Sequence, residues 1–71
     1  MPAAVQIYGK DGCPYTAAAR KDYESRGVAY DYFDVVRDPK AMATFLELSG
    51  GERRVPLIAE RGRVSLGFGG S

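Results

Sequence analysis

The residues best suited to chemistry lie in one stretch, Lys10-Asp11-Gly12-Cys13-Pro14-Tyr15-Thr16, which holds the only cysteine of the chain. A thiol acts as a nucleophile through its thiolate. Its pKa falls beside a cation and at a helix N-terminus, where unpaired N–H groups and the positive end of the helix dipole gather. Lys10 supplies a cation. Pro14 suits a first helical position, where its missing N–H is not needed. The Thr16 hydroxyl can donate to a thiolate and help keep it ionised; the alternative is a threonine merely tolerated in the first turn. For Cys13 the alternative is a small buried apolar residue, but its place between Gly12 and Pro14 predicts exposure. With no second thiol in the chain, Cys13 closes no internal disulfide. The chemistry left is monothiol exchange: attack on an external disulfide, then release by a second external thiol.

Composition removes several other functions. The chain has no histidine, which excludes Ser-His-Asp and Cys-His catalysis and, with one cysteine, a zinc site built within one chain. One cysteine also excludes a disulfide scaffold. Ten basic residues against nine acidic ones give a formal net charge of +1, with no basic field to hold nucleic acid. No apolar run is long enough to cross a bilayer, and the start lacks the features of a signal peptide. A cytoplasmic monomer with a small core is therefore expected from 71 residues.

The elements that must position Cys13 follow from periodicity. Ala3 to Tyr8 reads as a strand, nearly all apolar, as expected when both sheet faces are covered. Tyr8 to Gly12 reads as a flexible approach loop. Thr16, Ala19 and Tyr23, spaced i, i+3, i+7, form the inner face of a helix that starts at Pro14 and is capped by Gly27. Its outer face pairs Asp22 with Arg26. Val28 to Val36, rich in β-branched and aromatic residues, predicts a second strand, parallel to the first because a helix connects them. Asp38-Pro39 predicts a helix start, Met42, Phe45, Leu46 and Ser49 its inner face, and Gly50-Gly51 its end. Val55 to Ala59 and Val64 to Leu66 predict a hairpin around Glu60-Arg61-Gly62-Arg63.

Three features together resemble the glutaredoxin family: Cys13-Pro14-Tyr15-Thr16, similar to Cys-Pro-Tyr-Cys with the second cysteine replaced and Lys10 ahead of it; Val55-Pro56; and Gly69-Gly70. They span most of the chain. The resemblance implies an α/β, thioredoxin-like β-α-β-α-β-β domain over residues 1–71, with a mixed four-stranded sheet and without the family's final helix. It implies that Cys13 attacks glutathione mixed disulfides, becomes glutathionylated and is restored by a second glutathione. It implies a cis Pro56 facing the cysteine, with Tyr15 walling the groove. The backbone of Val55, extended as residues before proline tend to be, would pair with glutathione as an added strand. Lys10, Arg53 and Arg54 are candidate partners for its two carboxylates, although the family often has threonine at Arg54; plain surface charge is the alternative, and Arg37 reads as solvated. Gly69 and Gly70 would approach the γ-glutamyl end. The acid that follows in the family is absent, and the terminal carboxylate of Ser71 is its candidate substitute. The Cys-Pro-Tyr-Thr motif with a Gly-Phe-Gly-Gly ending also resembles a short bacterial group that often carries selenocysteine at the nucleophile. A cysteine form of such a protein is expected to be slower.

Other functions stay open on the sequence. Two chains with two glutathiones supply four thiolates for a [2Fe–2S] cluster, although cluster-binding relatives usually have Cys-Gly-Phe-Ser. A thiol reductase independent of glutathione would use the same Cys13. A binding module would use the extended edge near Val55 without any thiol.

Overall fold

The computed structural model describes residues 4–69. The elements form in the expected order: β1 (Val5–Gly9), α1 (Pro14–Ser25), β2 (Tyr30–Asp34), α2 (Pro39–Ser49), β3 (Leu57–Glu60) and β4 (Arg63–Leu66). The sheet runs β2-β1-β3-β4. The β1–β2 pair is parallel, and the β1–β3 and β3–β4 pairs are antiparallel.

Alternation along the strands divides the core between the two sheet faces. Val5, Ile7 and Ile58 pack with Ala19 and Tyr23 of α1, joined by Tyr30, Tyr32 and Phe68. Tyr8 and Leu57 pack with Ala41 and Phe45 of α2, joined by Phe33, Met42 and Leu46. The helix ends are built from their own sequence. After α1, the Val28 N–H returns to the Tyr23 carbonyl (2.9 Å) across Gly27 at φ +70°, a Schellman closure. At the start of α2, an Asp38 carboxylate oxygen accepts the Lys40 N–H (3.0 Å). Arg61 (φ +51°) and Gly62 (φ +81°) make the two-residue turn of the β3–β4 hairpin, whose twist needs positive φ at both positions.

Several expected boundaries move. Gly9 belongs to β1, not to a loop, and is paired with Asp34; Tyr8, the last residue of the expected strand, is paired with Phe33 and with Leu57. The expected Ala3 start lies outside the described residues. The second strand is shorter than Val28 to Val36, because Val28 closes α1 and Asp34 turns the chain by accepting the N–H groups of Val36 (2.9 Å) and Arg37 (3.1 Å). The third strand starts at Leu57 rather than Val55, since Pro56 has no N–H to give to a ladder.

Candidate active site

In a sheet with a parallel βαβ unit, the loops at the carboxyl ends of the strands meet on one side. Here the β1–α1 loop (residues 10–13) and the β2–α2 turn (residues 35–38) lie at that end. Leu57 is paired with Tyr8, so Val55 and Pro56, just before β3, arrive there too. Cys13, Val55 and Pro56, far apart in sequence, are thus brought to one pole of the sheet.

Cys13 is the N-cap of α1, in extended conformation (φ −82°, ψ 117°) with Pro14 as first helical residue. Its N–H closes a turn onto the Lys10 carbonyl (3.3 Å), and its own carbonyl accepts from Ala17 (3.0 Å). The expected exposure is not found: the residue keeps 9% of its surface. That burial pushes the thiol pKa up. The Thr16 hydroxyl, the N–H groups of Thr16 and Tyr15, and the charge of Lys10 pull it down, and together they prevail. The net shift is toward thiolate.

Thr16 is 1% exposed. Its hydroxyl favours the Cys13 thiolate, yet it completes no hydrogen bond among the described residues. A buried donor without a partner is costly, and a nearby anion relieves that cost. The threonine fits only because residue 9 is glycine. A Cβ there would stand 2.4 Å from Thr16 Cγ2 and 2.6 Å from Oγ1.

The remaining candidates differ in placement. Lys10 is exposed and makes no ion pair among the described residues. Tyr15 is 42% exposed, beside Cys13 on the first turn of α1. The Val55–Pro56 peptide is cis, and Pro56 is buried, its carbonyl accepting the Gly67 N–H (2.7 Å). Val55 is half-buried, and among the described residues its N–H and C=O take no part in the sheet ladder or in the turn and loop bonds. Arg54 reaches sideways at this end of the sheet toward β4, with its guanidinium 3.4 Å from the Leu66 carbonyl and 3.9 Å from Glu52. Arg53 is exposed. Gly69 is exposed at φ +63°, with open space around it; Gly70 and Ser71 lie outside the described residues. A depression of about 540 Å³ between Tyr23, Ile58, Glu60 and Arg63 lies at the opposite pole, near the start of β1.

Comparison with known proteins decides the family. The family model described as Glutaredoxin matches residues 5–64. The chain belongs to the glutaredoxin family. The glutaredoxin of Archaeoglobus fulgidus shares its fold (TM-score 0.82, 21% identity, 93% of this chain and 76% of that one). So does the glutaredoxin-like NrdH-redoxin of Escherichia coli (TM-score 0.79, 25% identity, 90% and 82%). A buckwheat glutaredoxin solved with glutathione has TM-score 0.76 and 20% identity over 92% of this chain and 61% of that one. A search of curated proteins finds no match. Family and fold together make this glutaredoxin a thioredoxin-like redox protein.

Three residues around the glutaredoxin site escaped the sequence reading. Gly9 falls in the expected loop, and its need is closeness to Thr16 rather than an unusual φ. Asp34 carried an available signal: an aspartate whose side chain turns the chain two residues on. Asp11 carried none. Its carboxylate accepts the Tyr32 hydroxyl (3.0 Å) and faces Arg37 at 3.8 Å. Arg37, expected to be solvated, is indeed 79% exposed, yet it lies between Asp11 and Asp34, 3.8 Å from each.

Proposed function

We propose that this protein is a monothiol thiol–disulfide oxidoreductase that uses glutathione as co-substrate. The Cys13 thiolate attacks the glutathione sulfur of a mixed disulfide. An S–S bond forms, the old one breaks, and the reduced substrate leaves as a thiolate that takes up a proton. A second glutathione attacks the Cys13 adduct, releasing oxidised glutathione and regenerating Cys13. The observation that carries this reading is the lowered pKa of the sole cysteine at the N-terminus of α1.

Fit to glutathione is uneven along the tripeptide. Lys10, without an ion pair among the described residues, offers a cation for a carboxylate, and the backbone of Val55, without a backbone partner among the same residues, suits an added strand. Arg54 is turned toward Glu52 and β4, so it is the weakest of the assigned contacts. Gly69, with Gly70, would receive the γ-glutamyl end. In this reading residues 1–71 are one domain, acting as a cytoplasmic monomer. In the same reading its Cys-Pro-Tyr-Thr motif groups it with the short bacterial proteins whose nucleophile is often selenocysteine, Cys13 standing as the cysteine counterpart.

A second reading, a thiol reductase independent of glutathione, is favoured by the likeness to the Escherichia coli protein, whose solved structure is described as explaining a thioredoxin-like activity profile. One experiment separates the two. Reduced protein and a Cys13→Ser control are mixed with a glutathione mixed disulfide, and intact mass and turnover are followed. A single glutathione on Cys13, removed catalytically by added glutathione, supports the monothiol cycle. An adduct that glutathione does not remove supports another reductant. No adduct at neutral pH overturns both.

A further inference from the structure

The β1–α1 loop is fastened through Asp11 at two points, to Tyr32 of β2 and to Arg37 of the turn that follows it. The Asp34 carboxylate at the end of β2 accepts the N–H groups of Val36 and Arg37, which fixes where Arg37 stands. The Asp11 carboxylate accepts the Tyr32 hydroxyl at 3.0 Å and meets the Arg37 guanidinium at 3.8 Å. Tyr32 is itself held, its ring packed in the α1-side core and covered by Arg20 of α1 at 4.0 Å. An acid two residues from a nucleophilic thiol should oppose its ionisation. Yet the groups acting most strongly on the sulfur are Thr16, Tyr15 and Lys10, and Asp11 is not among them.

We propose that Asp11 is a positioning residue: clasped by Tyr32 and Arg37, its carboxylate is turned toward β2, which leaves Lys10 as the effective loop charge at the Cys13 sulfur. This rests on Cys13 being the working nucleophile. The charged groups facing the clasp are Lys10 on the loop, Asp34 and Arg37 on the β2 side, and Arg20 on α1. The Tyr32 phenol is pushed up to about 12, by burial first and then by its bond to Asp11, so it stays protonated as the thiol titrates.

The test is the rate of iodoacetamide alkylation of Cys13 against pH, in the full chain, with Tyr32→Phe, Asp11→Asn and the double variant. Alkylation needs no disulfide and no glutathione. Tyr32→Phe frees the carboxylate, so the profile moves to higher pH and alkylation near neutrality slows about threefold, the size expected of one charge acting across a solvated loop. In the Asp11→Asn background, Tyr32→Phe moves nothing. An unshifted Tyr32→Phe profile, or an equal shift in both backgrounds, overturns the clasp. If Tyr32→Phe does not fold, Arg37→Gln probes the same carboxylate from the exposed side, with a smaller shift of the same sign that Asp11→Asn abolishes. Failure of the clasp leaves wild-type Cys13 able to take up glutathione. Failure of the monothiol reading is a Cys13 that alkylates but takes up none.

Discussion

Gly9→Ala is the substitution for which the structure gives the sharpest magnitude. The added Cβ would meet Thr16 Cγ2 at 2.4 Å, Oγ1 at 2.6 Å and Cβ at 3.1 Å. Carbon atoms in contact sit about 3.5–4.0 Å apart, so roughly 1 Å of movement is required. Thr16 cannot provide it by rotation: it is 1% exposed, β-branched and inside a helix, where few χ1 values are open. The first turn of α1 must lift instead. Overpacking of this kind costs about 1–3 kcal/mol. At about 4–8 °C per kcal/mol for a domain of this size, Tm falls by roughly 5–20 °C. Thr16→Ala removes the two nearest atoms. Alone it costs about 1 kcal/mol or less, since the methyl it loses is partly offset by removing a buried hydroxyl that has no completed hydrogen bond. In the double variant most of the Gly9→Ala cost disappears, and the contact left at 3.1 Å keeps the rescue partial. Urea denaturation of the four proteins, followed by circular dichroism, measures the coupling, expected to be about 1 kcal/mol or more in the rescuing direction. Costs that add within about 0.5 kcal/mol would refute the reasoning, because independent sites behave that way.

Thr16→Val keeps the shape and removes the donor, so the Cys13 pKa rises. Alkylation near neutral pH slows about two- to tenfold and recovers at alkaline pH, a profile that ordinary destabilisation would not produce. A thiol whose folded pKa lies below its unfolded value contributes stability that is present above the unfolded pKa and lost as pH falls through the folded one. The stability of the reduced protein relative to Cys13→Ser should therefore be greater in alkaline than in weakly acid solution, as denaturation midpoints at several pH values will show. Lys10→Gln shifts the alkylation profile to higher pH, and the shift shrinks as salt is added, because Lys10 is exposed and its field is screened. Asp38→Ala removes the cap of α2 and costs about 1 kcal/mol without moving the Cys13 profile.

What could be read from the sequence was local. Pro14, Asp38-Pro39, Gly27 and Gly50 mark helix ends because capping chemistry is written in the residue itself. The inner faces of both helices follow from 3.6-residue spacing, and Thr16, Ala19 and Tyr23 are the buried residues of α1 as that spacing requires. The register of the sheet was not legible. It decides that Gly9 is strand rather than loop, and it brings Val55 and Pro56 to the end of β1. The exposure of Cys13 was misjudged for a related reason: glycine and proline neighbours describe the chain's freedom, not what folds over it. Asp11 and Tyr32 lie 21 residues apart, and only the parallel pairing of β1 with β2 makes them neighbours.

The groups that favour ionisation of Cys13 are mostly products of folding. The N–H groups of Tyr15 and Thr16 converge on the sulfur only when residues 14 onward are helical, and the Thr16 hydroxyl is aimed there only when it is packed against Gly9. A newly made or unfolded chain therefore carries a thiol of ordinary acidity, slow to exchange with the disulfides and oxidants around it. Reactivity arrives together with the α1–β1 contact and leaves with it. The reactive form of the thiol is thereby confined to molecules that are already folded, which lowers the chance that this single cysteine cross-links chains before they have a structure.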